Sequence, residues 1–120
     1  MLLDSNIIIY ATKPEHDALR RLISQNAPSV SVVSYVEVLG YHRLTERDRR
    51  CFEDFFVAAP VLQISIDILE CATHLRQQRA IGLGDSLIGA TALVHELELV
   101  TANSDDFQWI AGLRVSNPLR

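Results

Sequence analysis

Four acidic signals fall where this chain changes from one kind of segment to the next. Asp4 ends the apolar run Met1-Leu2-Leu3, and Glu37 interrupts Val32-Val33-Ser34-Tyr35-Val36-Glu37-Val38-Leu39. Asp85 opens a helix-like segment after Gly82-Leu83-Gly84, and Asn103-Ser104-Asp105-Asp106-Phe107 follows the strand-like Leu99-Val100-Thr101. Carboxylates brought together repel one another unless a cation joins them, and a donor set made only of oxygen suits magnesium. The pattern therefore points to a magnesium site and to phosphate chemistry.

Each acid also has a plainer explanation. Asp4 can cap a helix starting near Asn6, although Ser5 can do the same. Glu37 stands three residues after Ser34 in capping-box spacing. Failing that, it is a carboxylate among valines and a leucine with no basic residue at helical spacing, and burying it unpaired is costly. Asp85 can be an N-cap after Gly84, and Asp105 reads as solvated charge in an acidic turn. No single acid decides the matter; their recurrence at one edge of a sheet carries more weight.

The elements that must position them alternate in type. Residues 1–3 read as a buried strand and Ser5 to Ala11 as a helix. A second helix runs from Glu15 to Asn26, and a second strand spans Val30 to Val33. Ser34 is the expected cap of the helix carrying Glu37. Thr45 caps another that Pro60 stops near Ala59. Val61 to Ile64 is a third strand, Ser65 to about Arg79 an amphipathic helix, and 80–84 a glycine-containing loop. Asp85 to His95, rich in small residues, predicts a closely packed central helix. Leu97 to Thr101 is a fourth strand, with a short fifth near Leu113 to Val115. Alternating strands and helices predict an α/β fold with a mainly parallel sheet of four to five strands between helical layers. Ligands of such sheets bind beyond the carboxyl ends of the strands, where Asp4 and residues 103–106 fall.

Bulk properties narrow the classes. At 120 residues the chain is expected to be one domain, 1–120, with an ordinary globular balance of 48% hydrophobic and 22% charged residues. No apolar run approaches the roughly 20 residues of a membrane helix and no signal-peptide pattern opens the chain, so no membrane partner and a cytoplasmic location are expected. Cys51 and Cys71 read as free thiols, and the four histidines have no metal-ligand spacing. The net charge of -4 argues against a protein that coats nucleic acid, yet ten of the eleven basic residues are arginine. Arg43, Arg47 and Arg50 are the candidates for RNA phosphate contacts. The plainer reading of that stretch is a solvated helix face with internal ion pairs, since Glu46 and Asp48 lie among them.

Four segments in order then resemble a known family: Leu3-Asp4-Ser5-Asn6, Ser31-Val32-Val33-Ser34-Tyr35-Val36-Glu37-Val38, Leu83-Gly84-Asp85-Ser86-Leu87-Ile88-Gly89-Ala90, and Leu99-Val100-Thr101-Ala102-Asn103-Ser104-Asp105-Asp106-Phe107. With the closing Gly112-Leu113-Arg114-Val115, they make the chain similar to the PIN-domain ribonucleases, specifically the VapC-type toxins of type II toxin–antitoxin modules. The resemblance implies a three-layer α/β/α domain and a magnesium-dependent endoribonuclease, with manganese able to substitute. Asp4 and Asp85 would be the principal metal ligands, Glu37 a ligand or the orienter of the attacking water, and Asp106 the completing charge. Ser5, Asn6 and Asn103 would support phosphate or water, with Asn103 bringing no charge where some relatives have Asp. An RNA substrate, a small antitoxin and a homodimer are the implied partners. The antitoxin groove would involve Tyr10, Tyr41 and the 43–50 stretch.

Rival phosphate enzymes fit less well. A receiver domain needs a lysine after a late strand, and the only lysine is Lys13; a haloacid-dehalogenase-type phosphatase needs a second Asp at the position of Asn6. A rival from another class is a catalytically weak or inactive binding module that acts through antitoxin or RNA contacts.

Overall fold

A computed structural model describes residues 1–120. Five short strands form one wholly parallel sheet in the order β3-β2-β1-β4-β5. They are β1 (Leu2–Leu3), β2 (Ser29–Ser31), β3 (Val61–Leu62), β4 (Leu99–Val100) and β5 (Val115–Ser116). Leu2 and Leu3 pair with Ser29 and Val30 on one side and with Leu99 and Val100 on the other. The chain thus winds outward from β1 in one direction through β2 and β3, and in the other through β4 and β5. The reversal lies between β1 and β4, and the crevice beyond the carboxyl ends at such a reversal is where open parallel sheets bind ligands.

Successive residues of a strand face opposite sides, and this alternation divides the core in two. Leu2 and Leu99 join Ile68, Leu75, Ile88 and Phe107 on one face. Leu3, Val30 and Val100 join Ile7, Leu19, Val38 and Phe52 on the other. The first face is covered by α5 (Ile66–Gln78) and α6 (Leu83–Val94). The second is covered by α1 (Ser5–Tyr10), α2 (Asp17–Asn26), α3 (Val32–Leu39) and α4 (Glu46–Ala58). The result is the expected three-layer α/β/α arrangement.

Local chemistry sets most of the helix starts. Thr45 accepts a hydrogen bond from the Asp48 amide and caps as expected, while Ser65, read as the first residue of its helix, instead caps it by accepting from the Ile68 amide. The start of α2 lies at Asp17 rather than Glu15, behind a 3-10 turn at Pro14–His16, and two starts near the acids also differ from expectation. Ser31, not Ser34, caps α3, its hydroxyl accepting from the Val33 amide, and β2 ends two residues earlier than the apolar run implied. The short valine-rich run Val30-Ser31-Val32-Val33 is compatible with strand or buried helix by pattern, and the cap decides where one becomes the other. Likewise α6 begins at Leu83 with Gly82 as its cap residue, so Asp85 sits inside the first turn rather than at the cap. The small residues of α6 let it approach closely: a Cβ added at Gly89 would stand 3.4 Å from Ile110 Cδ1 and 3.7 Å from the Phe107 ring. No helix is long and apolar enough to cross a membrane.

Candidate active site

Asp4 follows directly from β1, and its backbone amide donates to the Val100 carbonyl of β4 at 2.9 Å. Its carboxylate is buried and held at both oxygens. Oδ1 accepts from the Ser5 amide at 2.8 Å, and Oδ2 accepts from the Thr101 hydroxyl at 2.7 Å. Asp4 thus occupies the cap position of α1 while remaining fixed at the sheet's point of reversal. Burial pushes its pKa up, the Thr101 and Ser5 hydrogen bonds oppose that, and the charges of Glu37 and Asp106 raise it further.

Asp85 stands across from it in the first turn of α6, half-buried and without a hydrogen-bonded cap role. Its pKa is pushed up to about 6, first by desolvation and then by the charges of Asp4, Glu37 and Asp106. A carboxyl in a helix's first turn ordinarily gains from the helix dipole. Here desolvation, with the neighbouring acids added to it, outweighs that gain.

Glu37 corrects an expectation. The apolar residues around it suggested a buried carboxylate, but the side chain lies on the exposed side of α3. It is nevertheless tethered: Oε1 accepts from the Ser5 hydroxyl at 2.7 Å, and Oε2 lies 2.7 Å from where a Cβ of residue 84 would be. The capping-box alternative is removed, because Ser31 is the cap. Asp106 is exposed at the end of a 3-10 turn, Ser104–Asp106, anchored by the fully buried Phe107. Its charge is felt by both Asp4 and Asp85.

The remaining expected residues divide. Ser5 is engaged by Glu37, and the Asn6 side-chain carbonyl accepts from the Ala102 amide at 3.2 Å, so both tie elements together rather than standing free for phosphate. Asn103 exposes its side chain, while its amide donates to the Thr101 hydroxyl at 3.0 Å. Asp105 is exposed, 3.8 Å from Arg120. On α4 the ion-paired helix face prevails for part of the arginine stretch: Arg50 lies 3.3 Å from Glu46, and Arg49 bridges Glu46 and Glu53. Arg43 and Arg47 are exposed and have no ion-pair partner. Thr101, Ser34 and Gly84 are the residues sequence reading did not assign to the site. Nothing local marks Thr101, whose partner Asp4 is 97 positions away.

Two features limit what the geometry provides. As placed, the side chains form no group of three or more acids, histidines or cysteines able to hold a metal ion together. The charge coupling among Asp4, Glu37, Asp85 and Asp106 shows them to be neighbours all the same. The two observations agree if the acids surround a space without collapsing on one point, which suits an ion that keeps several waters and takes one or two carboxylates. A cavity of about 650 Å³ lies elsewhere, between α1–α2 and α4. Ile8, Arg20, Arg47, Cys51 and Phe55 help to line it, whereas Tyr10 and Tyr41 do not.

The fold is a parallel α/β/α domain whose strand order reverses between β1 and β4, with Asp4 at that reversal. A PIN domain family model matches residues 1–113, and the chain belongs to that family. It is similar to a chain of VapBC-1 from nontypeable Haemophilus influenzae, 28% identical with a TM-score of 0.80 over 99% of this chain and 98% of that one. A toxin–antitoxin complex from Klebsiella pneumoniae is equally similar, 28% identical with a TM-score of 0.80 over 98% and 96% of the two chains. DNA-bound VapBC from Salmonella typhimurium shares the fold at a TM-score of 0.85 and 23% identity, over 97% of this chain and 96% of that one. The resemblance to the VapC-type toxins drawn from the motifs is matched by these structures. No protein of curated function matches the sequence.

Proposed function

We propose that this protein is a metal-dependent endoribonuclease, the toxin of a type II toxin–antitoxin pair, hydrolysing RNA phosphodiester bonds. The observation that carries the reading is the raised pKa of the buried Asp4 and of Asp85, each pushed up in part by its acidic neighbours with no basic group to relieve them. Such charge is costly unless a cation is present, and the donor set is oxygen throughout. Magnesium or manganese fits it. Asp4 and Asp85 would hold the ion, Glu37 would serve as ligand or orient a water, and Asp106 would complete the charge.

When bound, the ion supplies polarisation of a phosphoryl oxygen and acidification of a water. The chain's own residues do the rest. Thr101 and the Ser5 amide keep the Asp4 carboxylate in one orientation, and Glu37 presents Oε2 beside Gly84 to accept a proton or hold a water. Arg43 and Arg47, exposed and unpaired, are available to RNA phosphates, whereas Arg50 is drawn to Glu46. The cavity between α1–α2 and α4 offers an antitoxin segment an apolar floor with Arg47 at its rim. A homodimer would double the arginine surface offered to RNA. The location proposed is the cytoplasm.

The deciding experiment incubates purified protein with total RNA in the presence of Mg2+ or EDTA and maps the ends produced. Cleavage to 5′-phosphate and 3′-hydroxyl ends, lost with EDTA and in Asp4→Ala, is expected. EDTA-resistant cleavage would overturn the metal reading. Absence of any cleavage beside intact antitoxin binding would favour the inactive binding module.

A further inference from the structure

Hydroxyls on the helices of this protein behave in two ways. Ser24, Thr73, Ser86 and Thr91 each donate back to a carbonyl three or four residues earlier in their own helix. This is the ordinary fate of a helical serine or threonine. Ser5 and Ser34 make no such bond. Ser34, fully buried in α3, and Ser5, buried in α1, lie 2.9 Å apart, and the Ser5 hydroxyl lies 2.7 Å from Glu37 Oε1.

Counting protons fixes the direction of this chain. A carboxylate only accepts, and each serine has one hydroxyl proton. Ser5 therefore donates to Glu37, and Ser34, with no carbonyl of its own to serve, donates to Ser5. The carboxylate at the end is on an exposed side chain with no arginine or lysine partner. Without the relay its torsions would be free, and its carboxylate would spend most of its time away from Asp4 and Asp85. On the opposite side, Gly84 leaves open the space into which Oε2 is pressed.

We propose that Ser34 and Ser5 are positioning residues, a buried two-hydroxyl relay that holds the exposed Glu37 carboxylate over Gly84 in the cation pocket. The inference rests on the metal-site reading above and deepens it. It assigns a role to Ser34, which looked like a helix cap, and redirects Ser5 from phosphate contact to Glu37.

The test is a double-mutant cycle read by Mn2+ affinity from electron paramagnetic resonance, using the ion alone. Ser34→Ala is expected to weaken Mn2+ binding about fivefold, the size of one lost orienting hydrogen bond. In a Glu37→Ala background the same substitution should change affinity less than about twofold, because the relay then ends on nothing. Unchanged affinity in Ser34→Ala, or equal weakening in both backgrounds as for general loosening, would overturn the proposal.

A second measurement separates this proposal from the reading beneath it. If the wild-type protein neither binds Mn2+ nor cuts RNA, the functional reading fails. The relay is then judged on the metal-free protein by 13C relaxation of the Glu37 side chain. Mobility rising to that of a free surface glutamate in Ser5→Ala, and part of the way in Ser34→Ala, supports it, and unchanged order in both overturns it.

Discussion

Two acidic clusters in this chain have opposite electrostatic characters. On α4, Glu46 and Glu53 flank Arg49 at helical spacing, and Arg50 approaches Glu46, all on a solvent-exposed face. The hydrogen bonds from Arg49 hold the Glu46 pKa below its ordinary value. At the sheet's point of reversal, Asp4 and Asp85 have only other acids for charged neighbours, and desolvation and repulsion push both pKa values up. The α4 cluster satisfies itself within one helix and asks for nothing from outside. The other cluster is assembled from the end of β1, α3, α6 and the turn after β4, and its carboxylates add to the raised pKa values of Asp4 and Asp85 with no basic partner among them. The same residue types thus yield surface solvation in one place and a candidate metal pocket in the other, the difference being whether arginine came along.

The sharpest way to break this comparison is mutagenesis read by RNA cleavage. Asp4→Ala and Asp85→Ala are expected to lower the rate at least ~100-fold, the loss typical of removing a metal anchor. Glu46→Ala and Glu53→Ala should stay within about twofold of wild type. Comparable losses in both clusters would erase the distinction.

Metal should also separate them in stability. At pH 7.5, Mg2+ at about ten times its Kd is expected to raise Tm by roughly 4–8 °C. Asp85→Asn should remove most of that gain, and Glu46→Gln none of it. Thermal melts with and without EDTA read the difference.

A smaller effect concerns pH in the metal-free protein. Asp85 titrates near 6 when folded against the ordinary 3.8, so the folded state binds the extra proton between those values. Stability from this group is therefore full below about pH 4, falls as pH rises toward 6, and is constant above. Because the group is half-exposed, solvent screening reduces the loss to on the order of 1 kcal/mol. Urea unfolding at pH 4.5 and 7 should show it, and Asp85→Asn should flatten it.

The smallest stability change with a functional consequence is expected at Gly84. A methyl there meets only the flexible end of Glu37, so Gly84→Ala should leave stability within about 1 kcal/mol or raise it slightly, alanine being the better helix former. Glu37 must then swing away, and Mn2+ affinity should fall about fivefold, as for one lost hydrogen bond. Unaltered affinity would show that the position of Glu37 does not matter to the pocket.

The sequence by itself determined the alternation of strands and helices, the cap at Thr45, and the tight packing of the small residues in α6. These are local or periodic properties, carried by side-chain oxygens a few positions from the amides they accept from and by apolar spacing. It also marked Asp4, Glu37, Asp85 and Asp106 as acids at element boundaries. Its reading of Glu37 as buried failed because apolar neighbours along a chain say nothing about which side of a helix meets the sheet. Its placement of the cap at Ser34 failed because Ser31 and Ser34 are both competent, and only the end of β2 chooses between them. The tertiary structure alone decided which acids are neighbours, through the order β3-β2-β1-β4-β5 that sets Asp4 beside Thr101 across 97 residues. It alone turned Ser34, Ser5 and Gly84 toward one carboxylate, because those contacts join three helices whose approach is fixed by the core beneath them rather than by any segment's own preference.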